Sequence, residues 1–147
     1  MTDAPTHHAQ CFCGAVQIET VGAPLQQGFC HCDTCKQRSG APMIGYTLWP
    51  AAAVTIARGE DMLQRAQQPN RPDHSQWMSC RACGCAVGTD LHSKGLIDIL
   101  VGTFRDFTFE PKAHLNYGEA IIRMADGLPK YRDMPARAGG SDEMMPE

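Results

Sequence analysis

The sequence of 147 residues lacks long apolar runs and has no excess of positive charge. It contains no stretch of roughly 18 consecutive apolar residues, and its first residues, MTDAPTHHAQ, form neither a basic n-region nor an apolar h-region. We therefore expect a cytoplasmic protein that does not enter a membrane. The formal net charge of −3 argues against nucleic acid as a partner, because no general basic field attracts a polyanion.

Helical periodicity is also scarce, and aromatic residues make up only 7% of the chain. Several short segments instead show period-two alternation or are rich in β-branched and aromatic residues, and Gly or Pro lies near their ends. The predicted strands cover residues 16–19, 43–49, 53–57, 76–80, 86–89 and 96–104, with a bulge expected at Gly102. Residues 58–73 are predicted to form a loop, or a strand followed by an exposed loop. This pattern predicts a small, mainly β fold with little helix.

The length fits one domain, for which we predict residues 10–133. Residues 1–9 and 134–147 are polar or rich in Pro and Gly, and we interpret them as an N-terminal and a C-terminal solvated tail. We interpret the adjacent His7 and His8 as solvated rather than metal-binding. A short helix is expected after Asp33, which would cap it, with its end at Gly40, and a further helical turn is expected at residues 119–124.

Eight cysteines are the unusual feature of the composition. A cytoplasmic chain keeps its thiols reduced, which favours metal binding over disulfides. Seven of the eight form three short motifs, namely Cys11-x-Cys13, Cys30-x-Cys32-x-x-Cys35 and Cys80-x-x-Cys83.

Two of the motifs end in a cysteine followed by glycine, at Cys13-Gly14 and Cys83-Gly84. Such a glycine can take the positive φ that lets the backbone curl and point its amides at sulfur. We infer a closed, structural zinc site with four thiolate ligands: Cys11, Cys13, Cys80 and Cys83.

The middle motif supplies three thiolates, Cys30, Cys32 and Cys35, with no fourth cysteine beside them. Three protein ligands and one open position are typical of a catalytic zinc. Cys35 would lie in the first turn of the predicted helix, where the helix dipole favours a thiolate. We expect His31 to pack behind the ligands rather than bind the metal, and Cys85 to be a free thiol or an alternative ligand of the structural zinc.

These motifs resemble the glutathione-dependent formaldehyde-activating enzyme (GFA) family, also called the centromere protein V/GFA domain. The elements that resemble it are CFCGAV at 11–16, CHCDTCK at 30–36, Ser39-Gly40, CRACG at 80–84 and the closing segment DGLPKY at 126–131. The resemblance implies a β-tent fold and the same division of the cysteines between a structural and a catalytic zinc. Lys36 in place of an arginine, the presence of Cys85 and the lack of a tryptophan before the closing segment depart from the family pattern.

The resemblance further implies an S-(hydroxymethyl)glutathione synthase activity, a carbon-sulfur lyase when named in the reverse direction. The small-molecule partners would be a thiol, with glutathione as co-substrate, and an aldehyde such as formaldehyde. We expect a substrate thiol to bind at the catalytic zinc as a thiolate and to attack the carbonyl carbon. Lys36 and Arg38 are candidate anchors for the glutathione carboxylates, and a homodimer is left open.

Two alternatives compete with this hypothesis. The first is a non-enzymatic zinc module that binds a protein or nucleic-acid partner, because the family name itself covers a chromatin-associated member. A methionine sulfoxide reductase of related fold would need a separate nucleophilic cysteine, for which Cys85 is the only candidate.

Overall fold

Ten β-strands and one α-helix form the main regular structure of residues 3–147, the part of the chain that the computed structural model describes. This composition confirms the prediction of a mainly β fold with little helix. No helix in the described range has the length and apolar character needed to cross a membrane. The elements are β1 Thr6–Gln10, β2 Gln17–Val21, β3 Gln26–Cys30, α1 Asp33–Ser39, β4 Ile44–Pro50, β5 Val54–Arg58, β6 Leu63–Gln67, β7 Gln76–Cys80, β8 Ala86–Leu91, β9 Leu96–Leu100 and β10 His114–Leu115.

The chain divides into two units, each built from two separate stretches. Unit 1 comprises Met1–Gln26 and Thr47–Thr108, and unit 2 comprises Gln27–Tyr46 and Phe109–Glu147. Strand β4 supplies residues to both units.

Unit 1 contains a three-stranded antiparallel sheet in the order β1-β2-β5 and a four-stranded antiparallel run in the order β9-β8-β7-β6. The alternation predicted around Ile18 is real, because Ile18 and Thr20 on β2 are both buried. The indole of the buried Trp49 donates to the hydroxyl of Thr47 at 2.9 Å, and that hydroxyl donates to the carbonyl of Ile99 at 2.6 Å. These bonds satisfy the side-chain polar atoms of Trp49 and Thr47, whereas the buried hydroxyl of Thr20 has no partner among the described residues.

Unit 2 is organised around a short parallel pair, β3 with β10, in which Leu115 is paired with Cys30. The strands approach closely at Gly28, where an added Cβ would lie 2.5 Å from the carbonyl oxygen of Ala113. The N–H of Phe29 donates to the same carbonyl at 3.0 Å. This pairing fixes the position of Cys30 at the end of β3.

The two terminal segments differ from the solvated tails that the sequence predicts. Residues 1 and 2 of the predicted N-terminal tail lie outside the described residues, whereas 6–9 form most of β1 and pair with β2. In the C-terminal segment, the N–H of Met145 donates to the carbonyl of Lys130 at 2.8 Å. Backbone hydrogen bonds hold both segments. Neither segment has the apolar alternation by which a strand is predicted, so the sequence gives no sign of this order. The domain boundaries at residues 10 and 133 stay a prediction.

Most of the predicted strands correspond to β2, β4, β5, β7, β8 and β9, and residues 58–73 contain β6. The expected bulge at Gly102 is wrong, because Val101–Thr103 form a 3-10 turn after β9 ends at Leu100. The expected helical turn at 119–124 is confined to a 3-10 turn over Tyr117–Glu119. Strands β3 and β10 were not predicted, since neither shows a clear apolar pattern.

Candidate functional site

Four cysteines of unit 1 form what we call the first cysteine cluster: Cys11, Cys13, Cys80 and Cys83. Their sulfur atoms all lie within 4.8 Å of one another. The sulfur of Cys13 lies 3.7 Å from that of Cys11 and 3.8 Å from that of Cys80. A tetrahedral zinc with Zn–S bonds of about 2.3 Å spaces its sulfurs by about 3.8 Å. The first cluster therefore has the dimensions of a four-thiolate zinc site.

Two similar turns build this cluster, one after β1 and one after β7. Gly14 and Gly84 have φ of +77° and +74°, the left-handed conformation predicted from their positions after cysteine. The N–H of Gly14 donates to the carbonyl of Cys11 at 3.1 Å, and that of Gly84 to the carbonyl of Cys80 at 2.9 Å. Each turn thereby folds two cysteines toward the same point.

Backbone amides point at the sulfur atoms of the first cluster. The N–H of Val16 lies 3.3 Å from the sulfur of Cys11, and the N–H of Ala82 lies 3.4 Å from that of Cys80. Such donors stabilise thiolate over thiol. At Cys11 burial is outweighed by the N–H of Val16 and the neighbouring thiols, so its pKa is lowered, whereas at Cys13 the N–H of Ala15 is outweighed by burial and the neighbouring sulfurs, which raise the pKa to about 11.

Cys83 shows the same effect in its pKa. Hydrogen bonds from the backbone N–H groups of Cys85 and Cys13 lower the pKa of the Cys83 thiol to about 6. Cys85 contributes its backbone to this cluster, and its own thiol donates to the carbonyl of Ala86 at 3.5 Å. Burial raises the pKa of the Cys85 thiol, so this side chain favours the neutral form.

Three cysteines of unit 2 form the second cysteine cluster: Cys30, Cys32 and Cys35. Their sulfurs also lie within 4.8 Å of one another, and those of Cys30 and Cys35 are 3.7 Å apart. No other cysteine, histidine, aspartate or glutamate among residues 3–147 belongs to this group. The spacing fits three corners of a zinc tetrahedron, with the fourth corner left to a ligand from outside the chain.

The end of β3 and the start of α1 position the second cluster. Cys30 ends β3, and Cys32 is the N-cap of α1, because its sulfur accepts from the N–H of Cys35 at 3.3 Å. The prediction that Asp33 caps this helix is wrong; Asp33 is the first helical residue and forms an ion pair with Lys36 at 2.9 Å. The predicted end at Gly40 is confirmed, with φ of +69°.

The closeness of the sulfur atoms determines the thiol pKa values in the second cluster. The neighbouring sulfurs of Cys30 and Cys32 raise the pKa of the Cys35 thiol, and Cys32 raises the pKa of Cys30 to about 11. The predicted effect of the helix dipole on Cys35 is thus outweighed by its neighbours. Three thiolates can coexist at this spacing when a cation lies between them, which is the situation of a metal site.

Asn116 contributes to the second cluster and was not predicted. Its side-chain amide donates to the sulfur of Cys30 at 3.5 Å. Asn116 directly follows β10 and has φ of +53°, a conformation that asparagine tolerates better than most residues. A single asparagine in a segment without a motif gives no sequence signal for this role.

A chain of five hydrogen-bonded side chains begins at the buried His31, between two cysteines of the second cluster, and ends at the partly exposed Glu147; we call it the buried relay. Nε2 of His31 lies 2.8 Å from Nδ1 of His114, and Nε2 of His114 lies 2.7 Å from the Asp126 carboxylate. The amine of Lys130 donates to Asp126 at 2.7 Å and to Glu147 at 3.1 Å. His31, His114 and Lys130 are each at most 1% exposed. His31 thus contacts other buried side chains, as predicted, and is not in the group of ligand atoms.

Ion pairs determine the pKa values of Asp126 and Lys130 in the buried relay. Burial of Asp126 is outweighed by its hydrogen bonds with Lys130 and His114, so the pKa of its carboxyl lies well below the usual range. Burial of Lys130 is likewise outweighed by Asp126 and Glu147, which raise the pKa of its amine. Burial and the neighbouring His114 lower the pKa of His31 to about 4. Of these five residues, only His31 and the segment that contains Asp126 and Lys130 were singled out from the sequence.

The predicted carboxylate anchors lie on α1. The Lys36 amine bonds the Asp33 carboxylate and the carbonyl of Glu119. Lys36 also borders an open groove of about 380 Å³, whereas Arg38 does not line it. The residues that line this groove are Lys36, Gln37, Gly40, Ala41, Pro42 and Ile121.

Comparison with known proteins decides the family. The model of the family described as glutathione-dependent formaldehyde-activating enzyme matches residues 6–119, which is more than half of the chain. The chain belongs to this family. The GFA match includes both cysteine clusters and ends before Asp126 and Lys130, so part of the buried relay lies beyond it.

The fold agrees with a solved structure. A crystal structure of a Rhodobacter sphaeroides protein is similar to this GFA chain with a TM-score of 0.54 and 24% sequence identity, over 69% of this chain and 90% of that one. This likeness concerns the fold alone. No curated protein sequence matches the chain.

Proposed function

We propose that the protein is a zinc-dependent enzyme of the carbon-sulfur lyase type, which adds a glutathione-like thiol to a small aldehyde such as formaldehyde. The observation that carries this proposal is the second cysteine cluster. It brings three sulfurs to one point, with 3.7 Å between those of Cys30 and Cys35, and leaves one tetrahedral corner free of protein ligands from the described residues. Membership of the GFA family supports glutathione and formaldehyde as the substrates.

The two clusters would have different tasks. Four thiolates in the first cluster close the coordination sphere of a structural zinc, which would join the turn after β1 to the turn after β7. Three thiolates in the second cluster would hold a catalytic zinc with an open position. The protein would therefore contain two zinc ions per chain.

Zinc held by Cys30, Cys32 and Cys35 would supply the chemistry that deprotonates a thiol near neutral pH. The amide of Asn116 donates to the sulfur of Cys30 and would hold this ligand in place. In the reaction the substrate thiol gives up its proton, its sulfur forms a bond with the carbonyl carbon, and the carbonyl oxygen takes up a proton. The product is an S-hydroxymethyl hemithioacetal, and no oxidant or reductant is consumed.

The groove beside α1 is the proposed place for the rest of the thiol substrate. The amine of Lys36 has three N–H donors and bonds Asp33 and Glu119 among the described residues, so the third donor is proposed to bind a carboxylate. Glutathione carries two carboxylates, so Lys36 is the proposed anchor at this groove. Arg38 lies on the same helix, outside the lining of the groove, and is proposed as the second anchor.

Exchange NMR tests this proposal. The zinc-loaded protein is expected to accelerate the interconversion of glutathione plus formaldehyde with S-hydroxymethylglutathione above the spontaneous rate. Cys32→Ser is expected to abolish the acceleration, and Cys85→Ser, the matched control outside both clusters, is expected to retain it. A protein that holds two zinc ions without accelerating the exchange would contradict the proposal and favour the non-enzymatic zinc module.

A further inference from the structure

In each hydrogen bond of the buried relay one partner donates and the other accepts, and the groups at the end of the relay determine which. An ionised carboxylate only accepts hydrogen bonds, so the bond between Asp126 and His114 requires a hydrogen on Nε2 of His114. A neutral imidazole has one N–H, which makes Nδ1 of His114 an acceptor. The bond of 2.8 Å between the two rings must then be donated by Nε2 of His31.

The contacts of His114 favour a ring with a single N–H. The Asp126 carboxylate is already paired with the amine of Lys130 at 2.7 Å, so an imidazolium at His114 would place two buried cations on one carboxylate. Glu147 is the other carboxylate near Lys130. Its side chain is 41% exposed and therefore partly solvated, so it neutralises the charge of Lys130 less than the Asp126 carboxylate does. His114 is itself stacked on Phe29, with ring centres 4.9 Å apart, which removes water from the ring.

The last nitrogen in the relay is an acceptor without a donor. Nδ1 of His31 is fully buried and has no hydrogen-bond partner among the described residues. The direction derived from Asp126 leaves this nitrogen unprotonated. A buried N–H in the same place would be an unsatisfied donor, which proteins avoid.

We propose that Asp126 is a positioning residue for the second cysteine cluster: through His114 it fixes the tautomer and orientation of the His31 ring, and thereby the Cys30–Cys32 segment that binds the metal. The proposal rests on the proposed metal binding by this cluster. Residues behind the ligands commonly tune metal sites by orienting the groups in front of them.

The backbone around His31 supports this role. Its N–H donates to the carbonyl of Leu115 at 3.0 Å, while its ring bonds His114, the neighbour of Leu115 on β10. One residue between two cysteines of the cluster is therefore attached to β10 by both its backbone and its ring. A change in the ring bond would act directly on the spacing of Cys30 and Cys32.

Asp126→Asn reverses the direction of the relay. The Oδ1 of Asp126 accepts from the N–H of Leu128 at 3.1 Å and from Lys130 at 2.7 Å, so the single oxygen of asparagine is expected to stay on that side. The amide NH₂ would then face His114 and donate to its Nε2. Nδ1 of His114 would become the donor to His31, and the proton of His31 would move to its buried, partnerless Nδ1.

Nitrogen-15 NMR of the zinc-loaded protein, labelled at histidine, reads the tautomers directly. In the wild-type protein, Nδ1 of His31 and Nδ1 of His114 are expected to be unprotonated and both Nε2 atoms protonated. A proton on Nδ1 of His31, or on both nitrogens of His114, would overturn the proposal. This measurement depends on no variant.

The variants test the consequence for the metal. Asp126→Asn is expected to reverse both tautomers and to speed zinc release from the second cluster to a chelator by on the order of 10- to 100-fold, with release from the first cluster unchanged. Asp126→Glu keeps a carboxylate and is expected to restore the wild-type tautomers and the slow release. Reversed tautomers with unchanged release would contradict the positioning role.

Asp106→Asn is the matched control, because it changes the same kind of aspartate–histidine contact in unit 1. There the Asp106 carboxylate lies 2.6 Å from Nδ1 of His8. It is expected to leave the tautomer of His31 and both release rates unchanged; an effect equal to that of Asp126→Asn would overturn the proposal. None of these readouts measures aldehyde addition. A protein with the expected tautomers and release rates but no reaction would therefore contradict the proposed function alone.

Discussion

At the scale of single residues, the two cysteine clusters differ in what surrounds their sulfurs. In the first cluster Cys11 and Cys80 are buried and belong to the hydrophobic core of unit 1. In the second cluster Cys30 is bordered by Asn116 and by the polar interior of unit 2. Loss of a ligand should therefore affect folding in one cluster and chemistry in the other.

Cys83→Ser should destabilise the protein strongly, because it breaks the four-ligand site that joins two turns of unit 1. Zinc binding at such a site is tied directly to the folding free energy of a small domain. Cys32→Ser should instead remove one zinc and leave thermal unfolding of unit 1 nearly unchanged. Circular dichroism melts with zinc analysis check both variants, and equal destabilisation by the two would refute the division of roles.

Sequence reasoning identifies the cysteines because their spacing is itself the signal. The seven cysteines that it selects are the seven that the structure brings together in two groups. It does not identify Asn116, His114 or Glu147, which approach their partners only through the β3–β10 pairing and the return of the C-terminal segment. Asn116 and His114 are more than 80 positions from Cys30 and His31, and Glu147 is 17 positions from Lys130. Contacts at these separations leave no local pattern in one sequence.

At the scale of elements, β3 and β10 determine where Cys30 lies. Gly28→Ala should push the strands apart, because its Cβ would lie 2.5 Å from the carbonyl oxygen of Ala113 and 3.1 Å from the hydroxyl of Tyr46. We expect a loss of ~1–3 kcal/mol in the free energy of unfolding, as in other overpacked sites.

Gly102→Ala is the matched control for this variant. An added Cβ at Gly102 meets nothing within 4 Å, and this glycine does not have positive φ. Its effect should stay within ~0.5 kcal/mol. Denaturant unfolding compares the two, and a tolerated Gly28→Ala would show that the strands can separate at no cost.

Strand β1 carries a pH-dependent contact. The Asp106 carboxylate raises the pKa of His8, and His8 in turn lowers the pKa of Asp106. A raised histidine pKa stabilises the fold below its unfolded value of about 6.5 and loses that effect as pH rises through the folded pKa. A lowered aspartate pKa stabilises the fold above its unfolded value of about 3.9 and loses that effect as pH falls through the folded pKa.

The pair should therefore contribute most between about pH 4 and pH 6.5. The melting temperature of the wild-type protein minus that of Asp106→Asn, measured across pH, should be largest in this window and shrink on both sides. A difference that does not vary with pH would show that the contact is not ionic.

The strands differ in how far sequence could predict them. Strand β2 has apolar and polar residues in alternation, and β7 leads directly into a cysteine turn, so both were predictable. Strand β3 reads Gln-Gln-Gly-Phe-Cys and gains its partner from β10, a strand of two residues. Such a strand forms because tertiary pairing overrides a weak local preference.

At the scale of the whole molecule, the clusters lie in different units, the first in unit 1 and the second in unit 2. A chelator should therefore remove zinc in two steps. The second cluster, with three ligands from the chain, should release first and without loss of β signal in circular dichroism. Release from the first cluster should coincide with unfolding of unit 1, and a single step for both would contradict this order.

The central claim is that three thiolates leave one metal position open to a substrate thiol. Elemental analysis combined with X-ray absorption at the zinc edge tests it, on the wild-type protein with and without glutathione. We predict two zinc ions per chain and, on addition of glutathione, one more sulfur neighbour per chain, an increase that Cys32→Ser abolishes. One zinc per chain with a spectrum indifferent to glutathione would contradict the account.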